Sequence, residues 1–480
     1  MTVAMHGISY GAAAQRWSGQ ARLSSREVCG GELFAALPGH NHDGHKFIGD
    51  AVSRGASLIL CRTGTAERLR SGDLPWPSDM PLSLASRVLS ADELRHGGWL
   101  IEVDNVEQAL QQLATERRQT YRGTVIGITG SFGKTTATEI LRQLLPQSQA
   151  TMGNLNNHLG VPVSVLNFDP AAPCWICEMG MNHPGELARL GEIAQADLLL
   201  FTPLGRAHIG EADGDWIPQA KTELLRVSRP PRAIWMPRSS AGYARHLAGF
   251  TGALTWYGLE AGATDDWHVE GAHESFPDRA QLQVRYRGQR ATVSWDVPYA
   301  DYAGSVLAGL MIRAYLGQPL HDMQLSLRAH MGNRMRISEP ASRQWFVNDA
   351  YNASPETMAA AAQWCGRRQS EGYGVLALLG DMFELGAQTG TLHREALQAW
   401  QKAGVDWRLA LRAGDFGQAA QDLGLSPAPA LAELPSWQEL VRFVRRGEQG
   451  QIVFAKGSNG SGLGRQLDAV LAVDTGALKA

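Results

Sequence analysis

No block of basic residues runs through this 480-residue chain: 44 Lys plus Arg stand against 47 Asp plus Glu, a net charge of -3. Nothing in it is fitted to track a phosphodiester backbone, so nucleic acid is a poor candidate partner. Cysteine is sparse, and the five present (Cys29, Cys61, Cys174, Cys177 and Cys365) are odd in number and mostly scattered. That excludes the disulfide framework of a small secreted scaffold and fits a reducing cytoplasm. Cys174 and Cys177 form one C-x-x-C, but inside an apolar run that reads as a strand, where residues three apart point to opposite faces. No second pair exists to complete a zinc site. A basic segment followed by an apolar core is missing from the N-terminus, and the longest aliphatic runs, such as residues 198–201, are far shorter than a membrane span. The expectation is a cytoplasmic protein with no membrane insertion. Internal repeats and low-complexity tracts are also missing.

What is present is an apolar fraction of 44% in a chain too long for one hydrophobic core. At about 100 to 200 residues per domain, three domains are expected, over residues 1–103, 104–318 and 319–480. In the first, residues 56–61 and 99–103 read as strands, while residues 62–98, rich in Ser, Pro and charge, read as an irregular surface excursion. Asp104 or Asn105 caps a helix running to about Thr120. From Thr124 onward apolar strands alternate with amphipathic helices, the pattern of a parallel α/β sheet, with strands at 124–129, 175–177 and 197–202. Residues 230–300 are richer in strand, a helix follows over about 305–316, and alternation resumes at 345. The fold class is therefore α/β, with a central parallel-sheet phosphate-loop domain and a C-terminal Rossmann-like domain.

The strongest local pattern is TVIGITGSFGKTTATEILRQLL, residues 124–145. A β-branched strand leads into the turn Gly130-Ser131-Phe132-Gly133-Lys134-Thr135. Ala137, Ile140, Leu141, Leu144 and Leu145 then follow at helical spacing until Pro146 stops the run. Glycines let backbone N–H groups converge on an anion, and the helix N-terminus adds partial positive charge. Lys134 would meet the outer phosphates of ATP, and Thr135 would ligate magnesium. Gly130, Ser131, Gly133 and Thr136 complete the nucleotide contact. The longer G-x-x-x-x-G-K-[ST] pattern is not met, because Ile128 stands where its first glycine belongs.

Three further features are readable from position. Glu178 follows the strand PCWIC and so sits at a strand's C-terminal end, where open α/β sheets bind ligands. His208 lies in the loop after residues 197–202, at the same edge. Lys221 falls on the inward stripe of a helix starting near Trp216, four residues after Ile217 and three before Leu224. Lysine rarely faces inward unpaired; the plain alternative is a side chain that snorkels its charge to solvent.

With the loop and the segments around it, the chain resembles the Mur ligases. The likeness covers residues 33–57, with Asp43-Gly44-His45, then TMGNLNNHLGVPVSVL (151–166), EMGMNHPGEL (178–187), the His208 loop and AKTELL (220–225). In the last third it covers VNDAYNASPETM (347–358), LGDMFELG (379–386) and FAKGS (454–458). The resemblance implies a monomeric ATP- and Mg2+-dependent ligase: a carboxylate attacks the ATP γ-phosphate, and an amine displaces phosphate from the resulting acyl phosphate. The carboxylate would belong to a UDP-linked muramoyl peptide, and the amine to D-alanyl-D-alanine or a similar molecule. It further implies metal ligation by Glu178, His208 and a Lys221 carbamylated by carbon dioxide, and contacts to the precursor or the transferred phosphoryl group from Asn154, Asn156 and Asn157. Arg334 would reach the phosphates, Asp349 would hold the ribose, and Ser25, Asp43, His45 and Asn352 would contact substrates. Glu384 and Lys456 lie in matching segments without an assigned role.

The sequence also departs from that pattern. Asp301-Tyr302-Ala303-Gly304-Ser305 stands where an H-N-x-x-N motif is usual near the adenine, WMPRSS follows the strand near Trp235 where Asn-x-Asp is usual, Ser24-Ser25-Arg26 replaces Asp-Ser-Arg, and Asn459 replaces an arginine after KGS. Two other readings therefore stand beside the first: a diverged ligase joining another carboxylate and amine, and a phosphate-loop protein that binds nucleotide without ligating. Retention of Glu178, His208 and Lys221 speaks against the last.

Overall fold

A computed structural model describes residues 17–39, 43–75, 100–205, 216–260, 266–409, 414–425 and 435–477. Four sheets organise them. Ala21–Arg22, Leu33–Ala35, Leu58–Arg62 and Leu100–Val103 form a parallel sheet in chain order. Arg62 ends a strand rather than opening a loop, and Thr65–Ser71 is a helix that buries Ala66 and Leu69. The expected irregular excursion is thus corrected over its described part; residues 76–99 lie outside the described residues. Next comes the helix Val106–Thr120, capped by Asn105, whose side chain accepts from the Gln108 N–H.

The central sheet has six parallel strands, in the order Ala253–Tyr257, Ala233–Pro237, Leu198–Phe201, Thr124–Thr129, Cys174–Glu178, Gln149–Ala150. Thr124–Thr129 lies in the middle because it is apolar on both faces, with Val125, Ile126 and Ile128 fully buried. Its neighbours on the two sides continue in opposite sequence directions, so the crevice above its C-terminal end is the topological switch point. Cys174 and Cys177 are buried free thiols in one of those neighbours.

Beyond this sheet, Trp267–Ser275, Arg279–Tyr286 and Gln289–Trp295 form an antiparallel sheet joined by Met323–Leu325. The fourth sheet orders Arg336–Ala341, Gln344–Asp349, Gly450–Lys456, Tyr373–Leu379 and Asp406–Leu409, parallel except for the first strand. The third and fourth sheets are locked together by aromatic rings. Phe276 meets Trp345, Trp364 and Tyr373 edge-on at centroid distances of 5.2, 5.7 and 5.3 Å, and Arg368 donates to Glu274 at 2.7 Å. Edge-to-face geometry and burial make this contact mostly dispersive, worth about 0.5–1.5 kcal/mol per ring pair beyond area.

Candidate active site

The phosphate loop forms where the middle strand ends. Gly130 has φ 151°, and a Cβ there would stand 2.0 Å from Thr202 Oγ1, so only glycine fits between the two strand ends. Thr202 Oγ1 donates to the Phe132 carbonyl at 2.6 Å, and Ser131 Oγ exchanges hydrogen bonds with Gly205, tying the loop to the segment after Leu198–Phe201. Gly133, at φ 80°, caps the helix Lys134–Leu144. The helix N–H groups that lack partners therefore begin at residues facing the crevice. Lys134 Nζ arches back to the Gly130 carbonyl at 2.9 Å. Burial lowers its pKa; the Glu178 carboxylate opposes that effect and Arg334 adds to it.

Glu178 is the last residue of its strand and only 1% exposed. Asn156 Nδ2 donates to its Oε1 at 2.7 Å, and Thr135 Oγ1 approaches the same oxygen at 3.3 Å. A hydroxyl and a buried carboxylate converging beside a phosphate loop form an oxygen donor set, which suits a hard divalent cation such as Mg2+. Lys221 ends the helix Trp216–Lys221 at 1% exposure, the inward placement its spacing implies. Burial drives its pKa well below the usual lysine range, with Lys134 repelling it as well. His208 lies outside the described residues.

The C-terminal sheet presents its own strand ends to the same crevice. Asp349 and Lys456 are register partners, and Lys456 Nζ meets Asp349 Oδ2 at 2.6 Å while Met335 N–H donates to Oδ1 at 3.1 Å. Arg334 Nη2 donates to Thr135 Oγ1 at 3.2 Å, its guanidinium 3.7 Å from the Tyr351 ring centroid. Together these walls enclose a cavity of about 1150 Å3 that includes Lys134, Thr135, Asn154, Asn156, Asn157, Glu178, Arg334, Asp349, Asn352, Glu384 and Lys456. That is more than one small ligand needs.

Tyr299, Asp301, Tyr302, Gly304 and Ser305 line it too, and the Tyr302 hydroxyl bonds to the Thr136 side chain, so the altered segment adjoins the loop. The Asn157 side-chain oxygen Oδ1 accepts from the N–H groups of Leu159 and Gly160, a turn role, and Asn352 Oδ1 likewise accepts from Ala353 N–H.

The side chains of two expected substrate contacts lie inside the fold. His45 is 2% exposed, its Nδ1 bonded to Asp43 at 2.6 Å and its Nε2 accepting the Arg62 N–H at 3.1 Å. Ser25 is 5% exposed and bonded to Asp50. Both side chains have partners inside the fold and shape their own segments. Asp43, by contrast, caps the turn Gly44–Phe47 and stays partly open.

Sequence reasoning missed Thr202, Thr138 and Tyr351. Thr202 carried a signal, being the residue that closes the strand beside the loop. Asp381, His393 and Asp415 also come within 4.8 Å of one another. There, however, His393 Nε2 accepts the Met382 N–H and Nδ1 donates to the Thr389 carbonyl, leaving the ring no free lone pair.

Fold and site define a three-domain α/β enzyme of the phosphate-loop class. Residues 21–118 match the model of the Mur ligase family catalytic domain, residues 128–299 the Mur ligase middle domain, and residues 333–459 the Mur ligase glutamate ligase domain. The UDP-N-acetylmuramoyl-tripeptide–D-alanyl-D-alanine ligase of Bacillus subtilis is 29% identical over 378 residues, 76% of this chain and 73% of that one. The ligase of the same name from Mycobacterium tuberculosis is 27% identical over 500 residues, 97% of this chain and 94% of that one. A MurF ligase from Thermotoga maritima, solved in complex with ADP, has the same fold: its TM-score is 0.70 at 22% identity, covering 94% of this chain and 97% of that one. The chain belongs to the Mur ligase family, and it is an ATP-dependent amide-bond ligase.

Proposed function

We propose that this ligase joins the free carboxylate of UDP-N-acetylmuramoyl-tripeptide to the amine of D-alanyl-D-alanine, in the assembly of a peptidoglycan precursor. The observation that carries the reading is the alignment, over 97% of this chain, with a curated ligase bearing that name. ATP supplies the phosphoryl group that turns the carboxylate into an acyl phosphate; the amine then forms the C–N bond and inorganic phosphate leaves.

The chain's own residues would divide the work as follows. The loop N–H groups and Lys134 hold the outer phosphates, and Thr135 and Glu178 offer oxygens to Mg2+. Arg334 adds positive charge from the opposite wall, where charge builds up during transfer. His208 and a carbamylated Lys221 would complete the cation sites. Burial favours that modification, because only the neutral amine reacts with carbon dioxide and burial disfavours the ammonium. Asp349, already paired with Lys456, is set to accept from a ribose hydroxyl.

The test is to mix purified protein with Mg-ATP, UDP-N-acetylmuramoyl-tripeptide and D-alanyl-D-alanine and follow products by mass spectrometry. One pentapeptide product per ADP and per phosphate supports the reading. ATP turnover that requires a different amine or carboxylate would favour the diverged ligase, a reading motivated by residues 62–98 and by the altered segment 301–305, of which Asp301, Tyr302, Gly304 and Ser305 line the cavity.

A further inference from the structure

Three asparagines follow one another closely in the loop before the helix Gly160–Asn167, and the structure separates them. Asn154 is exposed and offers its backbone carbonyl to Asn156 N–H at 2.8 Å. Asn157 caps the turn. Only Asn156 reaches the end of the Cys174–Glu178 strand, and it is fixed there twice. Its carbonyl accepts the Gly180 N–H at 2.8 Å, and its side-chain amide donates to Glu178 Oε1 at 2.7 Å. A Cβ at Gly180 would stand 3.3 Å from the Asn156 amide carbon, so the glycine leaves room for the amide to lie beside the strand end.

The competing donors to the Glu178 carboxylate are weaker. Thr138 Oγ1 is 3.5 Å from Oε2, but its one hydrogen has a shorter path to the Lys134 carbonyl at 3.0 Å. Thr135 Oγ1 stands at 3.3 Å and would turn a lone pair toward any cation it ligates. A charge-assisted bond of 2.7 Å, from a residue whose backbone is tied to Gly180, is therefore the firmest constraint on the carboxylate among the described residues.

We infer that Asn156 is a positioning residue: it orients Glu178 toward the cation held with Thr135, rather than contacting the muramoyl carboxylate or the transferred phosphoryl group. The inference rests on Glu178 being a metal ligand, as proposed above. Groups that orient ligating carboxylates typically change metal affinity by roughly 10–100-fold when removed.

The experiment is a Mn2+ titration followed by electron paramagnetic resonance, in the presence of a non-hydrolysable ATP analogue. It compares the parent with Asn156→Ala, Glu178→Ala and the double variant, each checked for folding by circular dichroism. Asn156→Ala should weaken Mn2+ by about 10–100-fold in the parent and by less than about twofold in the Glu178→Ala background, since its effect passes through Glu178. An equal loss in both backgrounds, or no loss in the parent, overturns the inference. So does unchanged Mn2+ affinity with a raised KM for the carboxylate substrate at saturating metal. If Asn156→Ala is misfolded, Asn156→Ser, whose hydroxyl is too short to reach Oε1, gives the same comparison. Should Glu178→Ala itself leave Mn2+ affinity intact, the metal-ligand reading of Glu178 fails, an outcome distinct from the failure of Asn156 alone.

Discussion

Arg334 donates to the hydroxyl of Thr135 at 3.2 Å across 199 residues of sequence, joining the C-terminal sheet to the phosphate loop at the residue expected to hold magnesium. The Tyr351 ring, 3.7 Å from the guanidinium, fixes its plane. Arg334→Ala should lower kcat/KM for ATP by about 10²–10³-fold, the usual loss for one preorganised donor at a developing charge. Arg334→Lys should recover only part, because an ammonium lacks the planar fork that both stacks and donates. Steady-state kinetics with ATP varied at saturating substrates checks both; full activity in Arg334→Ala would remove the arginine from the site.

Lys134→Ala should abolish ligation and weaken ATP binding, because Lys134 is the loop's own lysine, its Nζ turned back over the turn to the Gly130 carbonyl. Isothermal titration with a non-hydrolysable analogue, alongside product assays, measures the two effects. Wild-type ligation by this variant would mean the loop is not the phosphate site.

The buried ammonium of Lys221 links stability to pH. Its folded pKa is well below 10.5, so the unfolded chain binds the extra proton between the folded value and 10.5. Stability therefore rises with pH across that window and is lowest below it. In bicarbonate-free buffer Lys221→Met should melt at least ~2 °C above the parent at pH 7, and the difference should shrink as pH approaches 10. Thermal melts at three pH values decide it; a destabilised methionine variant with no pH trend would contradict the buried-amine account.

The thiols make a simpler case. Burial pushes Cys61, Cys174 and Cys177 up to about 12 and Cys365 well above the usual thiol range, while Cys29 is exposed. The thiolate is the reactive form, so a disulfide reagent at pH 8 should modify one thiol of the five rapidly and the rest only on unfolding. Cys29→Ser should remove the fast phase. Two or more fast thiols would contradict the burial of the other four.

Much of this site is legible in the sequence because its chemistry is carried by contiguous residues at strand ends. Gly130 to Thr136 declare a turn and a helix start, Glu178 closes an apolar strand, and Lys221 keeps helical register with Ile217 and Leu224. What fails is whatever depends on a distant neighbour. The partners of His45 and Ser25, the Arg62 N–H and Asp50, cannot be read from the sequence around them. Asn154, Asn156 and Asn157 are equivalent as letters, and only the fold brings the middle one to Glu178. The helix Thr65–Ser71 is two turns long and begins after a left-handed glycine, too short for periodicity to reveal within a Ser- and Pro-rich stretch.

The central claim is that the carboxylate is activated by phosphoryl transfer in the crevice between the loop and the C-terminal sheet. It is tested most directly by labelling the muramoyl tripeptide's reacting carboxylate with oxygen-18 and analysing the phosphate released during amide formation. The account predicts one labelled oxygen transferred to inorganic phosphate for each amide formed, and none with Lys134→Ala. Amide formation that leaves the phosphate unlabelled would contradict it.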